Sequence, residues 1–244
     1  MKLRTLIVED EPLSQHYLNS LLSQLPEVEV AARAATEEDA ITAIESLKPD
    51  LVLLDIELHN GTGFEVLCKT RHLHYMVIFT TALEQQAIRM IKLCGVPFLQ
   101  KPIDAEELYL LIKNLPGEDG EARKALDYLL KALESDHVPQ YMSLQGEGPR
   151  QYIALDDVLY MTSGNPTTLK LRDGTVKTDL RSIKELESLL EDVHFFRSAA
   201  THLVNLKNVE AIAPGEDSIR LLQGAAVPLS PKKRGSLSER LERL

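Results

Sequence analysis

Five short apolar runs occur in the first 101 residues, each separated from the next by a stretch of helical periodicity. The runs are "TLIV" at Thr5, "VEVAAR" at Val28, "DLVLLD" at Asp50, "MVIFTT" at Met76 and "PFLQK" at Pro97. Between them, Tyr17, Leu18, Leu21, Leu22 and Leu25 share one helical face, as do Ala40, Ile41, Ile44 and Leu47. Further helices are predicted from near Phe64, from near Glu84 and from about Asp104 to Asn114. Five strands alternating with five helices predict an α/β doubly wound five-stranded parallel sheet, because parallel neighbours need long crossovers.

Ligands of such sheets sit outside the carboxyl ends of the strands, and polar residues collect there. Glu9, Asp10 and Glu11 follow the first strand, Asp55 ends the third, Thr80 and Thr81 end the fourth, and Lys101 ends the fifth. A lone acid at a strand end is ordinary turn chemistry; four strand ends feeding one crevice point to a site. Carboxylates from two strands can hold an octahedral Mg²⁺ that also takes a phosphate oxygen. Asp55 is the candidate nucleophile for an aspartyl phosphate, Lys101 offsets phosphoryl charge, and the Thr81 hydroxyl bonds a phosphoryl oxygen.

In order and spacing, "IVEDE", "LLDIEL", "GTGFEVL", "TTA" and "LQKPI" resemble the receiver domains of two-component response regulators, over about Lys2 to Leu115. The resemblance implies direct Mg²⁺ ligation by Asp10 and Asp55, help from Glu9 through water, and a ligand from the Glu57 carbonyl. Thr81 and Lys101 would bind the phosphoryl group, and Phe98 is either the aromatic that switches with Thr81 or a plain core residue. "LLDIE" is also similar to haloacid-dehalogenase phosphatases, but there the motif belongs to a first strand, and no segment here is suited to a substrate cap. Phosphoryl transfer onto the protein itself, with slow hydrolysis, is expected rather than turnover of a separate substrate.

Pro116, Gly117, Asp119 and Gly120 interrupt the pattern, and "EARKALDYLLKALES" then resumes it with an apolar stripe from Ala122 to Leu133. From Tyr141 the periodicity is that of strands, "RDGT" marks a hairpin, and only "SIKELESLLED" reads as a helix. The expected organisation is a receiver at 1–116, a connector at 117–137 and a β-rich domain at 138–244. The net charge of -10 divides unevenly: 10 basic and 17 acidic residues to Leu115, 3 and 6 in 116–137, and 14 and 14 from Val138 onward. The neutral last segment leaves room for a basic surface. Cys68 and Cys94 lack metal-ligand spacing, no run approaches the ~18 apolar residues of a membrane span, and the N-terminus lacks a signal-peptide core, so a cytoplasmic location is expected.

"YIALDDVLYM", "LRDGT", "FFRSAATHLVNLKNVEAI" and "VPLS" resemble the LytTR DNA-binding domain over about Val138 to Leu241. That resemblance implies a sensor histidine kinase as phosphodonor, promoter DNA as target and a homodimer on phosphorylation. Family members typically carry a histidine and a basic residue after "FFR"; this chain has Ser198, Ala199, Ala200 and Thr201. The remaining DNA-contact candidates are Lys170, Arg172, Arg197, His202, Lys232, Lys233 and Arg234. Two readings stay open: a transcriptional regulator with altered DNA recognition, or one whose β-rich domain serves protein interaction or dimerisation.

Overall fold

The computed structural model describes every residue except 1, 83–84, 116–119, 136–137, 148, 192 and 213–216. Pro116, Gly117, Asp119, Glu84 and His137 therefore lie outside the described residues. The chain divides into two compact units, Met1–Leu130 and Lys131–Leu244.

In the first unit, β1 (Leu3–Val8), β2 (Val28–Ala34), β3 (Leu51–Asp55), β6 (Met76–Thr81) and β7 (Phe98–Gln100) form one parallel sheet in the order β2-β1-β3-β6-β7. The connecting helices are α1 (Pro12–Leu22), α2 (Glu37–Leu47), α3 (Gly63–Thr70), α4 (Gln85–Cys94) and α5 (Ala105–Lys113). Central strands covered on both faces read as continuous apolar runs, and β3 is buried at all five positions. On one face Ile7, Leu51, Leu53, Ile78 and Leu99 pack with Leu18 and Leu22 of α1 and Leu108 and Ile112 of α5. Side-chain caps set the helix starts. Asp104 accepts from the amides of Glu106 and Glu107, both at 2.9 Å, and Thr62 forms a reciprocal box with Glu65 at the start of α3.

A two-strand hairpin, β4 (Glu57–Leu58) with β5 (Gly61–Thr62), follows Asp55. It delivers the chain to Gly63, where a Cβ would lie 2.2 Å from the Asp55 carbonyl oxygen. Only glycine permits α3 to start so close to the end of β3. The stripe read at Ala122 belongs to α6 (Glu121–Glu134), whose Arg123 donates to the carbonyl oxygens of Leu73, at 2.8 Å, and Arg71.

The second unit contains a sheet ordered β12-β11-β10-β14-β13 and a three-stranded sheet β15-β16-β17, with a separate hairpin of β8 and β9. The strands are β8 (Tyr141–Leu144), β9 (Gln151–Ala154), β10 (Val158–Thr162), β11 (Thr167–Leu171) and β12 (Val176–Asp179), then β13 (Phe195–Ala199), β14 (His202–Asn205), β15 (Val209–Ile212), β16 (Ser218–Leu221) and β17 (Ala226–Pro228). Helix α7 (Ile183–Leu189) is the one read from the sequence. A second helix, α8 (Arg234–Leu241), was not anticipated, because it buries only Leu237 and so shows no apolar stripe.

The turn after β12 is held by an ion pair inside the fold. Asp179 is fully buried and Arg181 nearly so; Nη2 of Arg181 lies 2.6 Å from Asp179 Oδ2 and 2.5 Å from the Ser143 carbonyl oxygen. The Asp179 carboxylate also accepts the amides of Arg181 and Gln145. Removing one partner strands the other's charge in a medium that solvates it poorly. Arg181→Met should therefore cost about 3 to 5 kcal/mol in urea unfolding, whereas Asp179→Asn/Arg181→Met should recover part of that loss.

Candidate functional site

Pleating positions the polar groups of the first unit. Ile7, Leu53, Ile78 and Leu99 point to the same face of the sheet, so the residues two further along, Glu9, Asp55, Thr80 and Lys101, continue that face at its carboxyl end. Glu9 and Asp55 are buried. Lys101 Nζ donates to Asp55 Oδ2 at 2.5 Å and to Glu9 Oε1 at 2.9 Å. Glu9 Oε2 lies 2.8 Å from the same nitrogen, in ion-pair contact but without a well-directed hydrogen bond. The Glu57 amide donates to Asp55 Oδ1 at 3.2 Å, and the Gln15 side chain of α1 pins the loop by donating to the carbonyl oxygens of Glu9, at 3.0 Å, and Ala34, at 3.3 Å.

Burial pushes the Asp55 carboxyl above its ordinary value of 3.8, and the hydrogen bond and charge of Lys101 only partly offset it. Glu9 is raised above 4.5 for the same reason, with the nearby Asp55 charge adding to the shift. Burial disfavours the Lys101 ammonium, but its hydrogen bonds to Asp55 and Glu9 outweigh this and leave it raised above 10.5.

Oxygens of Glu9, Asp10 and Asp55 all lie within 4.8 Å of one another. An all-carboxylate set with one undirected buried oxygen fits a hard divalent cation of the Mg²⁺ kind. Thr81 is fully buried at the end of β6. Phe98 is half-buried at the start of β7, opposite Phe79, with the Lys92 ammonium 5.3 Å from its ring centre.

The residues proposed for DNA contact separate into two groups in the second unit. Arg197, His202 and Lys233 gather around the β13–β14 turn. The Arg197 guanidinium donates to the carbonyl oxygens of Ala199 (2.9 Å), Ala200 and Ile183 (3.3 Å) and pairs with Glu187 at 2.9 Å, so its donors serve the fold. Lys233 Nζ donates to the Arg197 carbonyl oxygen at 2.7 Å over the Phe196 ring. The His202 Nδ1 is 2.9 Å from Thr201 Oγ1, and burial followed by the Arg197 charge lowers its pKa below 6.5. Lys232 is exposed and Arg234 half-buried. In the other group, Lys170 donates to the Gly174 carbonyl oxygen at 2.6 Å and Arg172 grips Asn208 Oδ1 at 2.9 and 2.5 Å. Asn205 is structural, bonding the carbonyl oxygens of Leu155 and Val158 at 3.0 Å.

Profile comparison assigns residues 5–113 to the response regulator receiver domain and residues 150–242 to the LytTr DNA-binding domain. The chain belongs to the LytTR family of response regulators. It is 27% identical over 245 residues to the sensory transduction protein LytT of Enterococcus faecalis, covering 98% of this chain and 99% of that protein. It is 26% identical over 246 residues to the transcriptional regulatory protein BtsR of Escherichia coli, covering 97% and 98%. This LytTR-family member is thus a two-component signalling protein and not a classical catalytic enzyme. Among the described residues no helix is long and apolar enough to cross a membrane.

Glu9, Asp10, Asp55 and Lys101, all named from the sequence, lie together in this crevice. Sequence reasoning did not find Gln15 or the close approach at Gly63.

An acid with a raised folded-state pKa holds its proton longer in the folded chain, so its stabilising contribution is present below the unfolded value and lost as pH rises through the folded one. Without divalent cation, thermal stability of the receiver should therefore decline from the ordinary carboxylate range upward. Asp55→Asn should flatten this decline and melt higher near neutral pH. Melting curves in chelator between about pH 5 and about pH 8 check both.

Proposed function

We propose that this LytTR-family regulator accepts a phosphoryl group on Asp55 from a sensor histidine kinase and uses that modification to control DNA binding by its β-rich domain. The observation that carries the reading is the Lys101 bridge between Glu9 and Asp55, a cation paired with two buried acids at the end of a parallel sheet. An ionised Asp55 oxygen attacks phosphorus as the bond to the donor nitrogen breaks; the electron pair of that bond leaves with the nitrogen, and the departing imidazole takes its proton from solvent. Lys101 and the Thr81 hydroxyl hold the equatorial oxygens of the transferred group. Glu9, Asp10, Asp55 and the Glu57 carbonyl would hold Mg²⁺, which supplies charge neutralisation when bound.

The domain assignment is a receiver at 1–116, a connector at 117–137 and the DNA-binding domain at 138–244. Phosphorylation biases Thr81 and Phe98 toward a second arrangement that favours a homodimer. In DNA binding, Lys232 and Arg234 with Lys233, Lys170, Arg172 and Arg197 provide the electrostatic contacts, chiefly with promoter phosphates, and His202 joins them as a neutral hydrogen-bonding ring.

A second reading is favoured by the state of the β13–β14 turn. Arg197 is committed to its own turn, and Ala199 and Ala200 can donate nothing to a base edge. On that reading the β-rich domain works through protein contacts or dimerisation.

Two measurements test these statements. Incubation with a small phosphodonor and Mg²⁺ should give one phosphoryl adduct by intact mass, abolished in Asp55→Ala; an unchanged adduct in the variant would refute the site. Selection from random duplexes should enrich a repeated sequence whose binding weakens with salt. Lys232→Ala/Lys233→Ala should lower the salt slope by about one to two. Absence of enrichment by the native protein, with recovery in Ala199→His/Ala200→Arg, would favour the second reading.

A further inference from the structure

Thr80 is fully buried, and its side-chain oxygen has no hydrogen-bond partner among the described residues. Such an orphan is unusual, because burying a hydroxyl without a partner costs free energy that valine, nearly the same shape, would avoid. The residue is placed where a hydroxyl has chemical meaning. It is the register partner of Asp55 across the β3–β6 ladder, so the two side chains leave the sheet on the same face.

Strand order explains why the oxygen is dry. Strand β6 lies between β3 and β7, so the line from Lys101, beyond the end of β7, to Asp55 and Glu9 crosses the end of β6, where Thr80 sits. Neighbouring strands are about 4.8 Å apart, and the lysine stem together with the Asp55 side chain spans the two spacings from β7 to β3. While Lys101 is paired with Asp55, the carboxylate already has a strong donor and the Thr80 hydroxyl has none.

We propose that Thr80 is a positioning residue for phosphoryl transfer. It is the reserve donor that takes over the Asp55 carboxyl oxygen when Lys101 shifts its ammonium to an incoming phosphoryl oxygen. The exchange is one of hydrogen bonds: the Thr80 O–H turns toward the oxygen that Lys101 vacates, its proton stays on Thr80, and no bond to phosphorus is made. The carboxyl group is thereby held in one orientation through the reaction. The inference rests on Asp55 being the phosphoacceptor.

The test uses the full-length protein, Mg²⁺ and a small phosphodonor, with intact mass read over time and thermal melting in parallel. Thr80→Val should melt at or above the wild-type temperature, because the orphan is removed, yet be phosphorylated about two- to tenfold more slowly. Thr80→Ser should restore the rate. Should Thr80→Val fail to fold, Thr80→Ser and Thr80→Ala share the lost methyl and differ only in the hydroxyl, so their rate ratio gives the same comparison. Equal rates with and without the hydroxyl would overturn the proposal while leaving Asp55 in place. Absence of any Asp55-dependent adduct on the wild type would overturn the phosphoacceptor reading and the proposal together.

Discussion

The ion bridge from Lys101 to Asp55 and Glu9 is the interaction on which the rest of the receiver's chemistry depends. Parallel strands covered by helices leave their carboxyl ends as the place where polar side chains meet, and here two of the acids that meet are buried. Two carboxylates so placed repel each other and lose hydration. A cation between them makes the arrangement compatible with a folded chain. The compensation is incomplete, since both acids retain raised proton affinities.

The second unit uses its buried and turn-bound cations differently. Arg181 closes on Asp179 inside the fold, Arg172 on Asn208, and Arg197 on the carbonyl oxygens of its own turn. These contacts are geometrically demanding and suit arginine's planar array of donors. They also withdraw donors from solution. A surface that keeps its shape by spending arginines has fewer left for phosphates, and Ala199 and Ala200 supply none.

Much of the receiver was legible in the sequence because its strands are buried on both faces, so "LVLL" and "VIF" stand out against amphipathic helices. Its crevice was legible for the same reason: topology fixes where strand ends go, and Glu9, Asp10, Asp55 and Lys101 fall there by position alone. The fate of Arg197 was not legible, since its partners are carbonyl oxygens of a turn and of α7 that only the folded chain brings near. Helix α8 was missed because "RGSLSERL" buries one leucine and has no periodic stripe. The orphan at Thr80 lies between side chains of the neighbouring strands β3 and β7, a juxtaposition that no local pattern encodes.

The central claim is that Lys101 is the internal counter-ion of the acidic crevice. Mg²⁺ titration of the full-length protein and of Lys101→Met, followed by calorimetry at one neutral pH, tests it most directly. The account predicts tighter Mg²⁺ binding by the variant, because Asp55 and Glu9 lose the cation that competes for their charge. Unchanged or weaker binding by a folded Lys101→Met protein would contradict it.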